Sequence, residues 1–141
     1  MSEIQPAVAV VDDEPQMRKA LQRLLNSHGF RVVCYAGVTD FLAEFSTHPV
    51  DCLILDLHMP EISGFDLLLA MKTVNNPPPV VVITGQDEPG TEERTRELGA
   101  SAFLRKPVDE SAFLAAIEAA TVSRGGKFPT IGTIHITPEF P

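Results

Sequence analysis

The chain has 141 residues, a usual length for one domain with one substantial core. Hydrophobic residues make up 44% and charged residues 21% of it, as in ordinary globular proteins. With 11 Lys and Arg against 19 Asp and Glu, the formal charge is −8, which argues against direct binding to nucleic acid, because phosphate contacts need a basic surface. No apolar run reaches transmembrane length and residues 1–6 lack the plan of a signal peptide, so we expect a cytoplasmic protein without membrane contact.

Strand-like and helix-like patterns alternate along the chain. Apolar runs predict strands at residues 7–11, 30–35, 50–56, 80–84 and 102–104. Helical patterns follow them near residues 15–28, 38–45, 65–74 and 90–98, and after a capping Asp109. Cys34 and Cys52 fall in separate predicted strands and are expected to be reduced core residues. This alternation predicts an α/β fold, a doubly wound five-stranded parallel sheet with five helices.

The fourth helical pattern and the end of the chain differ from the rest. Leu98 is the only large apolar anchor of the fourth helix, and Glu92 and Arg96 are spaced for an i,i+4 ion pair. We therefore expect this helix to be displaced more easily than the others. The pattern stops near residue 122, which predicts a folded domain at residues 1–121. Residues 122–141 are expected to form a flexible tail or a short extended segment.

Polar side chains follow four of the five predicted strands. Asp12 and Asp13 come after the first strand, Asp56 ends the central one, Thr84 ends the fourth and Lys106 follows the fifth. Right-handed crossovers bring these strand ends to one edge of the sheet, where doubly wound folds bind their ligands. Three clustered carboxylates repel one another unless a divalent cation neutralises them; oxygen ligands indicate Mg²⁺ or Ca²⁺, and few protein ligands favour Mg²⁺. With Lys106 and Thr84 nearby, this pattern favours phosphoryl transfer with Asp56 as nucleophile.

Four motifs carry a resemblance to a known family. They are Val-Asp-Asp-Glu-Pro at 11–15, Leu-Asp-Leu-His-Met-Pro at 55–60 with Gly64, Ile-Thr-Gly at 83–85, and Lys-Pro at 106–107. Together they resemble the receiver (CheY-like) domain of two-component response regulators over about residues 5–121. The sequences of these motifs are nearest to the subgroup of response regulators that usually carries a helix-turn-helix output domain. The resemblance implies the flavodoxin-like fold, with strand order 2-1-3-4-5.

The resemblance also implies a function and its residues. Asp56 would accept a phosphoryl group from a histidine kinase or phosphotransfer protein, and the chain would catalyse only its own phosphorylation and dephosphorylation. Mg²⁺ is the implied cofactor, with ligands Asp12, Asp13, Asp56 and the backbone carbonyl of His58. Thr84 and Lys106 would bind phosphoryl oxygens.

The resemblance further implies switch residues. Thr84 would move toward the phosphoryl group and Phe103, in the last strand, would follow it. His58 and Gln86 would flank the path of an attacking water molecule. We also expect the Lys106–Pro107 bond to be cis, because Lys106 must point back toward Asp56 while the chain turns into a helix.

Three other families fit less well. A haloacid-dehalogenase-type phosphatase needs a second acid at the position of His58, a dinucleotide-binding domain needs glycines where Asp12 and Asp13 stand, and a P-loop kinase needs a motif that the chain lacks. The segment after the last helix is short for a DNA-binding domain. We therefore expect a stand-alone regulator that contacts a downstream protein or a second copy through residues 85–121. The alternative is the receiver fragment of a DNA-binding transcriptional response regulator.

Overall fold

The computed structural model describes residues 5–58, 63–85 and 88–123, in which strands and helices alternate strictly. The strands are β1 (Ala7–Val11), β2 (Arg31–Tyr35), β3 (Cys52–Asp56), β4 (Val80–Thr84) and β5 (Ala102–Arg105). The helices are α1 (Pro15–Ser27), α2 (Val38–Phe45), α3 (Gly64–Met71), α4 (Thr91–Glu97) and α5 (Glu110–Ser123). Gln86 and the predicted tail beyond residue 123 lie outside the described residues.

The five strands form one parallel sheet in the order β2-β1-β3-β4-β5. This confirms the expected fold class and strand order. Every residue of β1, β3 and β4 is buried, because helices cover both faces of the central strands. In this register Asp56 pairs with Ile83 and Thr84 pairs with Arg105, so the polar residues at the strand ends lie along one edge.

The pleat of the sheet divides the core into two clusters. On one face Leu53, Leu55 and Val82 pack with residues of α2 and α3 such as Phe41 and Leu67. On the other face alternate strand residues pack with α1 and α5, among them Val10, Ile54 and Ile83 with Leu25 and Phe113. Successive strand residues point to opposite faces, so the continuous apolar runs of the sequence supply both clusters.

Local signals account for several helix ends. Glu14 is the N-cap of α1 and Pro15 takes the first helical position, where its fixed φ suits the helix and no N–H is needed. Gly29 follows the end of α1 with φ +89°, a left-handed conformation that favours glycine. Asp109 Oδ2 accepts a hydrogen bond from the Ala112 backbone N–H at 2.9 Å, as expected for a cap.

Three details differ from the sequence-based expectation. The third helix ends at Met71, earlier than expected, and α5 continues past residue 121, to Ser123. The helix α4 is anchored by two buried threonines, Thr91 and Thr95, while Leu98 is only half-buried. The sequence pattern missed these anchors because threonine is counted as polar although its methyl group packs in a core.

The two cysteines lie at different depths: Cys52 is a buried core residue, as expected, whereas Cys34 is only half-buried, and both are free thiols. The Lys106–Pro107 peptide bond is cis, which confirms that expectation. Among the helices of the described ranges, none combines the length and apolar character needed to cross a membrane.

Candidate functional site

The turn after β1 holds Asp12 in place through three hydrogen bonds. Its backbone N–H donates to the Tyr35 carbonyl at 3.1 Å, which continues the pairing of β1 with β2. Its Oδ1 accepts from the Glu14 N–H at 2.9 Å. Its own carbonyl accepts from Nη1 of Arg18, in the first turn of α1, at 2.8 Å. The start of α1 and the end of β1 thus form one connected unit.

Three carboxylates meet at this edge of the sheet. Asp12, Asp13 and Asp56 each bring one carboxylate oxygen within 4.8 Å of the others. Asp12 is 2% exposed and Asp56 is 4% exposed, whereas Asp13 is exposed to solvent. Clustered carboxylate oxygens are the hard ligands that Mg²⁺ and Ca²⁺ prefer, and an exposed member leaves room for water in the coordination shell. The residues present therefore fit a divalent cation.

Lys106 reaches the same carboxylates from the end of β5. Its Nζ lies 3.4 Å from Asp12 Oδ2 and 3.9 Å from Asp56 Oδ2. It also lies 3.8 Å from Oε1 of Glu14, the acid of the Val-Asp-Asp-Glu-Pro motif at 11–15. The Lys106 backbone N–H donates to the Thr84 carbonyl at 2.8 Å and extends the β4–β5 pairing by one residue. One ammonium thus offsets part of the charge of three acids.

The environment of Asp56 makes its carboxyl group a weaker acid than an ordinary aspartate side chain. Burial, followed by the charge of Asp12, raises the pKa of Asp56 to about 6. Lys106 opposes this shift, and so does the His58 backbone N–H, which donates to Asp56 Oδ1 at 3.3 Å. The ionised carboxylate therefore depends on positive charge in the cleft.

An open cleft of about 550 Å³ lies above Asp56. Among the described residues, those that line it are Asp13, Glu14, Pro15, Asp56, His58, Gly85 and Lys106. Gly64 lies so close to the end of β3 that a Cβ would approach the Asp56 carbonyl and Leu57 Cα to 2.8 Å. A glycine at the start of α3 is therefore required for the helix to pack this closely against the residue that ends β3.

The two expected switch residues, Thr84 and Phe103, are both buried, and they lie at different distances from the cleft. Thr84 is 1% exposed, and its chain neighbour Gly85 lines the cleft. Phe103 is 4% exposed and belongs to the core cluster that contains residues of α2 and α3, and Leu98 and Ala100 pack against that cluster. A cavity of about 140 Å³ between α4 and β5 borders Phe103. Asp12, Asp13, Asp56 and Lys106 therefore meet in one site, and Phe103 belongs to the neighbouring layer.

In the sequence, Glu14 and Gly64 stand out only as members of motifs and Arg18 does not stand out, so the parts that these three residues play in the site were missed. Glu14 and Arg18 contact Lys106 and the Asp12 carbonyl, respectively, and Gly64 provides the close packing under Asp56. A signal for Glu14 was present, because it directly follows the two aspartates. For Arg18 the signal was weak, because a basic residue in the first turn of a helix usually faces solvent.

The chain is similar in sequence to proteins of one known family. Residues 8–118 match the family described as response regulator receiver domain. Response regulator protein TmoT of Ectopseudomonas mendocina is 32% identical over 120 residues, 85% of this chain and 54% of that protein. Transcriptional regulatory protein FixJ of Bradyrhizobium diazoefficiens is 34% identical over 113 residues, 80% of this chain and 55% of that protein. The chain thus spans little more than half the length of these two relatives.

A solved structure supports the fold independently. A response regulator receiver domain protein (CheY-like) from Methanospirillum hungatei superposes with a TM-score of 0.80, covering 86% of this chain and 98% of that one. Its sequence identity of 21% supports the fold alone. The family match covers most of the chain and contains all the strand-end residues of the cleft. This protein therefore belongs to the response regulator receiver domain family.

Proposed function

We propose that this receiver domain, residues 1–121, accepts a phosphoryl group on Asp56 from a phosphohistidine of a histidine kinase or phosphotransfer protein. The carrying observation is the position of the Asp56 carboxylate. It lies at the carboxyl end of β3, beside Asp12 and Asp13, with the Lys106 ammonium 3.9 Å away. Family membership supports signalling by phosphorylation. We propose that the domain catalyses only its own phosphorylation and dephosphorylation and does not act as an enzyme on other molecules.

The proposed reaction is a phosphoryl transfer between two side chains. A carboxylate oxygen of Asp56 attacks phosphorus and forms an acyl phosphate, while the bond from phosphorus to the donor imidazole nitrogen breaks. That nitrogen keeps the bonding electron pair and takes up a proton. Such a transition state needs positive charge around the transferred oxygens. The distance of 3.9 Å between Lys106 Nζ and Asp56 Oδ2 supports Lys106 as its source.

Asp12, Asp13 and Asp56 are the side chains proposed to hold Mg²⁺, with the His58 backbone carbonyl as a fourth ligand. When bound, the cation neutralises the carboxylates and the incoming phosphoryl oxygens. Asp13 is the exposed member of the trio, so it leaves a side of the site open to the donor. Asp56 would use one carboxylate oxygen in the cluster and the other as nucleophile.

Thr84 and Lys106 are proposed to bind the oxygens of the phosphorylated form. Thr84 ends β4 directly before Gly85 at the cleft, which supports a short inward movement of its hydroxyl. His58 and Gln86 are proposed to set the access of water to the acyl phosphate, and His58 lines the cleft. We also propose a cytoplasmic location for this chemistry.

For the output, we propose protein contact through residues 85–121, with a downstream protein or a second copy as partner, and no direct contact with nucleic acid. The surface would comprise α4, β5 and α5. A formal charge of −8 supports this reading over direct contact with nucleic acid. The alternative, a receiver part of a transcriptional regulator, is favoured by the similarity to FixJ, of which the chain spans 55%.

The proposal is tested by phosphorylation in solution. Purified protein is incubated with an acyl phosphate donor and Mg²⁺, and its intact mass is measured. We expect a gain of one phosphoryl group that disappears in Asp56→Asn and in excess chelator. Asp40→Asn, the same change at an exposed position of α2, is the matched control and should gain the group normally. An undiminished gain in Asp56→Asn would overturn the assignment.

A further inference from the structure

We propose that Arg18 is a positioning residue for the cation site, although it touches none of the three carboxylates that form it. The inference rests on the proposed function, since it assigns Arg18 a part in holding the Mg²⁺ ligands. Arg18 would act through the backbone by fixing the peptide unit that joins Asp12 to Asp13. Its contribution would be measured as cation affinity, separately from phosphorylation.

The contact that carries this inference is the hydrogen bond from Arg18 Nη1 to the Asp12 carbonyl, at 2.8 Å. Arg18 is half-buried, so this charged hydrogen bond is partly shielded from water. The Asp12 carbonyl belongs to the peptide unit whose nitrogen is that of Asp13. Holding this carbonyl therefore fixes where the Asp13 side chain leaves the backbone.

The Arg18 backbone is itself held on both sides. Its backbone N–H donates to the Glu14 carbonyl at 3.1 Å, which makes Arg18 part of the first helical turn. The Cys34 thiol of β2 lies 3.8 Å from the Arg18 carbonyl. A side chain on a turn that is fixed at both ends is suited to orient a neighbouring loop.

Asp12 and Asp13 differ in how much help they need. The Asp12 side chain is buried and accepts the Glu14 N–H at 2.9 Å, so it has its own support. Asp13 is exposed, and the Asp12–Asp13 peptide unit is its link to that support. Groups outside the coordination shell that orient metal ligands typically change affinity by roughly 10–100-fold when removed. The Arg18 effect should fall at the lower end, because it acts through one ligand.

The test measures Mg²⁺ binding directly. MgCl₂ is titrated into unphosphorylated protein while amide NMR signals near the cleft are followed. Arg18→Met keeps the apolar stem but removes every donor, and should raise the dissociation constant roughly tenfold. Arg18→Lys can still donate to one carbonyl and should stay within roughly threefold of the wild type. Lys19→Met, the same change at the next, exposed position of α1, is the matched control and should bind as the wild type.

Each outcome decides the question. An unchanged dissociation constant in folded Arg18→Met overturns the inference. An equal loss in Lys19→Met overturns it as well, because removing a positive charge should by itself tighten Mg²⁺ binding, so that loss would indicate a general disturbance of α1. A loss that Arg18→Lys does not restore also overturns it. If Arg18→Met does not fold, Arg18→Leu, which also lacks a donor, is judged by the same criteria. Failure of the proposed function would be seen separately, as wild-type protein that binds Mg²⁺ but gains no phosphoryl group.

Discussion

Lys106 reaches Asp56 across the end of an intervening strand. Lys106 follows β5 and Asp56 ends β3, with β4 between them, yet Lys106 Nζ lies 3.9 Å from Asp56 Oδ2. The long lysine side chain spans this gap while its backbone N–H remains bound to the Thr84 carbonyl. Residues from opposite sides of β4 thus share one electrostatic environment.

Removing the ammonium should impair phosphorylation. In Lys106→Met the Asp56 pKa should rise further and the transferred oxygens lose a positive partner, so the rate at saturating Mg²⁺ should fall at least roughly a hundredfold. The measurement is the initial rate of the mass gain with an acyl phosphate donor. Lys72→Met, at an exposed position just after α3, serves as the control. A rate within twofold of the wild type would exclude a role for Lys106 in the transfer.

The pKa of Asp56 predicts a pH dependence of stability in the absence of divalent cations. The folded-state pKa is raised to about 6 from 3.8, so the folded protein binds this proton more tightly than the unfolded chain. Binding of this proton stabilises the folded state relative to the unfolded state. The stabilisation is complete at pH values below the unfolded-state pKa of 3.8 and is lost as the pH rises through the folded-state pKa of about 6. Asp56→Asn should therefore be more stable than the wild type at pH 7 by about 3 kcal/mol, with the difference narrowing toward low pH.

Denaturant unfolding in chelator at several pH values measures this difference. Asp40→Asn changes an exposed carboxylate and should show no comparable trend. Added Mg²⁺ should stabilise the wild type and reduce the advantage of Asp56→Asn, since the cation neutralises the same charge. A constant difference across the pH range would contradict the assignment of the raised pKa.

Gly64 is predicted to tolerate no side chain. In Gly64→Ala the new Cβ would meet backbone atoms of Asp56 and Leu57 at 2.8 Å, so α3 must move away from β3. We expect a loss of about 1–3 kcal/mol in the free energy of unfolding and slower phosphorylation. In Gly37→Ala the Cβ would meet nothing within 4 Å, so that variant is the control for a general glycine effect. Equal stability losses in both variants would show that the close approach is unimportant.

Glu92 is predicted to hold α4 against β5. It accepts hydrogen bonds from Arg96 at 2.9 Å and from Arg105 at 3.1 Å. The first is the i,i+4 pair expected from the sequence; the second crosses to the next strand. Glu92→Gln should speed amide exchange in α4 by roughly three- to tenfold, because partly exposed ion pairs contribute at most about 1 kcal/mol each. Glu93→Gln, at the adjacent exposed position, should leave exchange unchanged.

The last prediction concerns how a structural change at Asp56 reaches the proposed output surface of α4, β5 and α5. A stable phosphoryl mimic at Asp56 should draw Thr84 inward and change exchange protection in residues 88–105. Phe103 starts from a buried position, beside a cavity of about 140 Å³, so we expect a small rotation rather than an entry from solvent. Protection changes that stay near Asp56 and never reach α4 would show that the route is wrong.

The sequence by itself determined the elements and the residues at the strand ends. Apolar runs predict β1, β3 and β4 because buried parallel strands need apolar residues on both faces. Strand alternation with helices then places Asp12, Asp56, Thr84 and Lys106 at one edge, because helical crossovers make the strands parallel and parallel strands end at the same edge. The strand order and the family were predicted from the motifs, because hydrophobic periodicity does not show which strands are neighbours in the sheet.

Only the tertiary structure decided which side chains meet. The contacts of Lys106 with Glu14, of Arg18 with the Asp12 carbonyl and of Glu92 with Arg105 join residues of different elements or loops. Periodicity reports which face of an element is buried, but packing sets how far a long side chain extends and toward which neighbour. Periodicity likewise does not predict why position 64 must be glycine. The short distance between α3 and the end of β3 leaves no room for a side chain there.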